Sequence, residues 1–245
     1  CKETQTMSDP GLSDTLPTDT ESDAAAQELS CCGKPAGRPR AADMEARMEN
    51  LLHTAGCLFL EKGYGKVSLE MIAREAHVAV RTIYVKFGGK SGLFNAVVEL
   101  RRAAYFSTMP ALETDMRPLP AILSEFGLLF VQLVTMPAAI RLNRMVVAEA
   151  ATHPELAETF YKVGPGQTRE MLTKFFSRPD IAPLFRAELT PSMLALHLLN
   201  CLLGDQMSRL LFPPQAQPDV AQLRTKVALS LDLFLRGTLR QPLAD

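Results

Sequence analysis

The chain has 245 residues, is 47% hydrophobic and carries 26 basic against 27 acidic side chains, for a formal net charge of −1. That is enough apolar material for one or two domains with a sizeable core. No run of eighteen apolar residues exists, because 126–140 is broken by Gln132 and Pro137 and 193–203 is too short, so a membrane-spanning helix is excluded. Five cysteines (Cys1, Cys31, Cys32, Cys57 and Cys201) show neither paired spacing nor a CxxC, which argues against a disulfide framework and a zinc site.

The near-zero charge hides a partition. Residues 1–33 are net −6, residues 34–102 net +5 and residues 103–245 net 0. Residues 1–36 are rich in Thr, Ser, Asp, Pro and Gly and are read as a disordered acidic tail. Residues 1–30 lack the apolar segment of a secretory leader, and Met7 is one candidate start residue. The expectation is a soluble, cytoplasmic protein. The basic excess falls on the segment that follows, where phosphates would be met.

Helix 1 is expected from about 43 to 62, with Met48, Leu51, Leu52, Ala55 and Phe59 as its buried stripe and Gly63 as a left-handed stop. Next, Leu69, Ile72, Ala73 and Ala76 fall at i, i+3, i+4, i+7, one helical face. Ser68 is its N-cap, and Val67 can staple onto Ile72. A third short pattern spends Val78, Ile83 and Phe87 on apolar contacts and leaves Val80, Arg81, Thr82, Tyr84, Val85 and Lys86 pointing elsewhere. A helix of seven or eight residues is not stable alone, so the one before it must brace it while its outer face stays free. That is the logic of a helix-turn-helix. Gly88 and Gly89 then break the chain. A fourth helix starts near Lys90 and runs to about 108, its N-terminus a ready phosphate clamp.

From Pro110 the pattern is long apolar helices without strand alternation. They are expected near 118–135, 137–152, 154–163, 165–177, 191–211 and 218–236, with Pro137, Pro154, Pro165 and Pro191 at first-turn positions and Thr190 as an N-cap. The fold class is therefore all-α, with nine or ten helices.

Residues 44–94 resemble the DNA-binding domain of TetR-type transcriptional regulators. The resemblance rests on Ala55, Leu58, Phe59, Gly63 and Tyr64, then Ser68, Ile72 and Ala73, then the Thr82-Ile83-Tyr84-x-x-Phe87 core followed by Lys90, Leu93 and Phe94. Two positions depart from the family: His77 stands where Gly is usual in the turn, and Ala79 where Ser usually begins the third helix. The stretch Arg144 to Pro165 resembles the C-terminal domain of the AefR-like branch. The resemblance implies three segments. These are the tail 1–36, a helix-turn-helix domain 37–94 with a basic arm, and a helical ligand-binding and dimerisation domain 95–245.

On that basis Val80, Arg81 and Tyr84 are the expected base-edge contacts, with Arg81 able to bridge guanine O6 and N7. The alternative is that Tyr84 packs inward and Arg81 pairs with Glu75. Ser68, Thr82, Lys86 and Lys90 are expected to hold phosphates. Arg38 and Arg40, in the Gly-Arg-Pro-Arg run before helix 1, match the family's minor-groove arm. One such helix reads few base pairs, so a homodimer on a palindromic double-stranded operator is implied. The pairing surface is expected on Leu194, His197, Leu198, Cys201, Leu202, Asp205 and Arg209 and on the stripe Val220, Leu223, Val227, Leu231 and Phe234, the alternative being that some of these side chains are simply core of one chain. The middle helices would enclose a small apolar effector lined by Phe126, Phe130, Met145, Phe160, Met171 and Phe175, with Glu149, Asn143 and His197 as orienting groups.

No catalytic residue, cofactor or metal ligand set stands out. There is no Gly-x-Ser-x-Gly, His-Glu-x-x-His or P-loop, and the four histidines lack ligand spacing. The leading expectation is a ligand-released repressor. A constitutive regulator, a redox-responsive one using Cys31 and Cys32, and an all-α carrier that no longer reads DNA remain as alternatives. A steep salt dependence of binding would separate reader from carrier.

Overall fold

The computed structural model describes residues 41–212 and 219–241. Among them the chain adopts the all-α class expected from its periodicity. Its helices are α1 (Ala41–Lys62), α2 (Leu69–Glu75), α3 (Val80–Phe87), α4 (Lys90–Phe106), α5 (Leu119–Thr135), α6 (Pro137–Glu149), α7 (Pro154–Tyr161), α8 (Gln167–Phe176), α9 (Pro191–Leu203), α10 (Gln206–Leu211) and α11 (Val220–Thr238). No single helix among the described residues is long and apolar enough to cross a membrane. Residues 41–47 belong to a unit of their own and are described only as helix; the packing below is that of Met48 onward.

Local signals set most boundaries. Ser68 caps α2 by accepting the Met71 N–H at 3.2 Å, and the Thr190 hydroxyl does the same for Met193 at 3.3 Å. Pro137, Pro154 and Pro191 each take the first position of a helix, where no amide partner is needed. Pro165 does not. It sits inside a π-turn, Lys162–Gly166, that carries the chain from α7 into α8 without a break. Proline has no N–H and crowds the carbonyl four residues back, and one wider turn absorbs both defects.

The helix expected over 191–211 is two. Gly204, at φ +52 and ψ −132, separates α9 from α10, a conformation open to glycine alone. Lys226 of α11 closes the gap, its ammonium donating to the Leu203 carbonyl at 3.1 Å and to Gln206 Oε1.

Two apolar clusters divide the core. One joins α1–α4 to α6 and α7: Leu51, Ala55, Phe59, Ile72, Ile83, Leu93 and Phe94 bury together with Leu142, Val146, Leu156 and Val163. The packing therefore does not break at the 94/95 boundary, since Val97 and Val98 belong to the same cluster. The other holds α5, α8, α9 and α11 together through Ile122, Phe126, Leu172, Phe175, Phe176, Leu198, Leu202, Val227 and Phe234.

α9 and α11 run antiparallel. Lys226 meets the end of α9, while the segment leading into α9 bonds the end of α11 (Arg186 N–H to Thr238 O and Arg240 N–H to Leu184 O, both 3.0 Å). This corrects the expected pairing surface in part, in favour of the core alternative; His197, Asp205, Arg209 and Val220 stay exposed. Leu194, Leu198 and Leu202, and Leu223, Val227, Leu231 and Phe234, are buried inside one chain. They pack α9 and α11 onto each other and onto α5, so they are not subunit-facing. The exposed large apolar side chains are Met193 and Leu196 on α9 and Val220, Leu229 and Leu233 on α11, interspersed with exposed polar ones such as His197, Asn200, Arg224, Asp232 and Arg236.

Candidate nucleic-acid interface

The basic, short-helix segment folds as a helix-turn-helix, and its turn is built from hydrogen bonds that the residues around His77 make. α2 ends at Glu75 and Ala76 caps it. His77 takes φ +54, the left-handed region that the usual glycine would occupy. The Val78 N–H then reaches back to Ala73 O at 2.9 Å and the His77 N–H to Arg74 O at 3.4 Å, the paired bonds of a Schellman stop. Val78 and Val80 turn partly into the first cluster beside fully buried Ile83. α3 starts without help: Ala79 has the extended backbone of an N-cap but no side-chain bond to offer.

The outer face of α3 follows from that seating. Arg81, Tyr84, Val85 and Lys86 are exposed, with Tyr84 56% and Val85 73% accessible. Tyr84 thus points out, and Arg81 forms no ion pair with Glu75 within salt-bridge distance. Val80, expected on the same face, is half-buried. Val85 occupies the place left over: it lies one turn beyond Arg81, at i+4, and its spacing was the signal that could have singled it out.

Among the expected phosphate contacts, Lys86 is exposed and Thr82 half-buried on α3. The Ser68 hydroxyl is already engaged as the α2 cap. Lys90 lies at the start of α4 with its ammonium 4.2 Å from the centre of the Tyr64 ring. Burial lowers its pKa from the usual lysine value, and the nearby carboxylates of Glu149 and Glu155 act in the opposite sense. Tyr64 is itself packed between Phe59, Phe94 and the His153 ring, at 5.5–5.7 Å between centres. Burial, then the same two carboxylates, push its hydroxyl up to about 12. Arg38 and Arg40 lie outside the described residues, as do Cys1, Cys31 and Cys32.

The expected effector lining is not brought to one place. Phe126, Phe130, Phe175 and half-buried Met171 belong to the α5–α8–α9–α11 cluster, where Phe106, Phe126 and Phe130 stack at 5.8 Å spacing. Met145 and Phe160 pack on the other cluster. Glu149 faces neither. Its carboxylate accepts the backbone N–H groups of Tyr64 (2.8 Å) and Gly65 (2.6 Å) in the turn between α1 and α2. Asn143 is half-buried on α6 and His197 exposed on α9.

Two polar groups that sequence reasoning passed over lie on one face of α4. Asn95 Oδ1 and Arg102 Nε are buried without a partner. Arg102 donates through Nη1 to Gln167 at 2.9 Å and lies 5.8 Å from the Phe106 ring centre. Burial pulls the guanidinium below its usual range, with Glu99 opposing. Among the described residues no group of three His, Cys, Asp or Glu side chains could hold a metal ion. Cys201 is half-buried, and burial pushes its thiol up, away from the reactive thiolate.

Family models match two segments. One, described as bacterial regulatory proteins of the tetR family, covers residues 51–97, and one described as the AefR-like transcriptional repressor C-terminal domain covers residues 121–237. Solved structures share the fold. A TetR-family transcriptional regulator from Mesorhizobium loti MAFF303099 is 22% identical over 82% of this chain and 100% of its own, with a TM-score of 0.66. The flavonoid-responsive regulator FrrA is 22% identical over 80% and 99%, with a TM-score of 0.62. NalD of Pseudomonas aeruginosa, the secondary repressor of the MexAB-OprM multidrug efflux pump, is 26% identical over 81% and 100%, with a TM-score of 0.57. No curated protein matches the chain.

Proposed function

Because the chain belongs to the TetR family of bacterial regulatory proteins, with an AefR-like C-terminal domain, we propose that it is a homodimeric, cytoplasmic repressor that reads a palindromic operator and releases it on binding a small, largely apolar effector. The family consists of DNA-binding regulators, not enzymes. The observation that carries the reading is the outer face of α3, where Arg81, Tyr84 and Val85 stand exposed at helical spacing on a core-braced helix within the net-positive segment. Arg81 is the base-reading cation and Tyr84 and Val85 supply apolar contact to base edges. Lys86, Thr82 and Lys90, with Arg38 and Arg40 ahead of α1, hold the backbone.

Residues 37–94 act as the reading head and 95–245 as the effector and pairing segment. The effector seats against Phe126, Phe130, Met171 and Phe175, where its polar groups meet Arg102, whose guanidinium lies by the Phe106 ring that stacks on Phe126. The efflux-pump repressor and flavonoid-responsive neighbours support a small-molecule signal.

Selection of bound sequences from a random double-stranded DNA pool tests the reading. Wild type is expected to enrich a palindrome. Arg81→Ala should relax preference at one position in each half, at about 1–3 kcal/mol of discrimination. A pool that shows no enrichment at low salt would sink it in favour of a carrier.

A further inference from the structure

The turn between α1 and α2 is held from the far end of α6. Glu149 grips it with both oxygens, Oε1 on the Tyr64 N–H and Oε2 on the Gly65 N–H. The approach needs bare backbone. A Cβ on Gly63 would stand 2.7 Å from Oε1, and one on Gly65 would stand 3.2 Å from Oε2 and 3.0 Å from His153 Nε2. Glu149 is in turn fixed by its own main chain, because its carbonyl accepts the N–H groups of Thr152 (3.0 Å) and His153 (2.8 Å) and the Thr152 hydroxyl (3.1 Å). His153 then lays its ring edge-on to Tyr64 and pairs with Glu155 at 3.3 Å.

Leu142 and Val146 of α6 add apolar contact with the reading head. Apolar burial is non-directional and tolerates a small rotation or slide. A two-pronged, charge-assisted bond does not, since each oxygen must keep its own amide. The Gly65 bond lies at the surface, so water can replace the carboxylate there and the fold does not depend on it.

We propose that Glu149 is a positioning residue that sets the orientation of the helix-turn-helix on the helical bundle, and thereby the spacing between the two α3 helices of the dimer. This rests on the dimeric-reader assignment above. Half-sites one helical turn apart lie ~34 Å from centre to centre, and each added base pair both rotates and translates one half-site. A rigid head therefore accepts one spacing, and a released one accepts several.

The test splits the operator selected by wild type with spacers that differ by single base pairs, and measures affinity for each. Wild type should prefer one spacing by about tenfold or more, the equivalent of ~1.4 kcal/mol. Glu149→Ala should keep the base preference within each half and the melting temperature, while its preference among spacers falls to about threefold or less. Glu149→Gln, which keeps one acceptor but sets an NH2 against the second amide, should fall between. Gly65→Ala, which crowds the carboxylate without removing its charge, should behave like Glu149→Ala. A Glu149→Ala profile identical to wild type overturns the inference, as does a loss of base preference together with a lowered melting temperature, which marks a purely structural role. A wild type that selects no operator overturns the reader assignment instead, and this inference with it.

Discussion

Tyr64 shows how much one residue can carry without touching a ligand. Its ring closes the first cluster, Lys90 rests over its face, and its amide is one of the two that Glu149 holds. The phenol is held neutral, its pKa pushed from 10 to about 12 chiefly by burial. Between those values the unfolded chain has given up a proton that the native state keeps, so stability falls as pH rises. Stability should be flat in this respect below pH 10 and then decline toward pH 12 by something on the order of 1–2 kcal/mol. Tyr64→Phe keeps the ring under Lys90 and should remove the decline. Urea midpoints of both proteins at pH 9, 10 and 11 check this, and parallel curves would refute it. At this scale the sequence was readable where side chains act locally. Arg81 and Tyr84 point out because Ile83 between them points in. Glu149 was not readable, because its partners are amides some 85 positions away, and nothing in the composition of α6 separates a clamp from a pocket wall.

Elements were legible to the extent that their ends are coded nearby. The cap residues Ser68 and Thr190 and the first-turn prolines set starts that agree with periodicity to within a residue or two. Two joints were not coded in that way. The π-turn around Pro165 keeps a helix going through a residue that ordinarily starts one, and the break at Gly204 depends on Lys226 arriving from another helix to take the freed carbonyl. The turn at His77 was legible and carries a measurable strain. A left-handed conformation costs an ordinary residue about 1–2 kcal/mol, while glycine loses roughly 0.5–1 kcal/mol more backbone entropy on folding. The first term wins. His77→Gly should therefore raise stability by about 0.5–1 kcal/mol, seen as a higher denaturant midpoint at unchanged slope, and an unchanged or lower midpoint would mean that His77 makes a compensating contact.

At the scale of the molecule, fold class was plain from the sequence but the outward faces of α9 and α11 were not. α9 (PSMLALHLLNCLL) is apolar nearly all round, and α11 carries leucines on both sides of its axis. Periodicity alone could not say which stripe packs on α5 and which is left over. The structure leaves Leu229 and Leu233 about two-thirds exposed, 68% and 69%, one turn apart on α11, with Met193 and Leu196 at 41% and 40% on α9. Exposed large apolar side chains can mark an interaction site, and the proposed dimer is expected to close on these four. Full burial of a leucine is worth about 1.5–3 kcal/mol, so the exposed fraction leaves roughly 1–2 kcal/mol each to gain. A two-fold interface counts both leucines twice. Replacing both by Glu should therefore raise the dimer dissociation constant by roughly a thousandfold or more, seen as a monomer boundary in sedimentation at micromolar protein. The helical melting transition should survive, because the buried stripes of α9 and α11 are untouched. Binding to a single half-site should persist weakly while the palindrome loses its advantage. If the double variant still sediments as a dimer, the pairing surface lies elsewhere, and the spacing that Glu149 is proposed to set would have to be measured from a different axis.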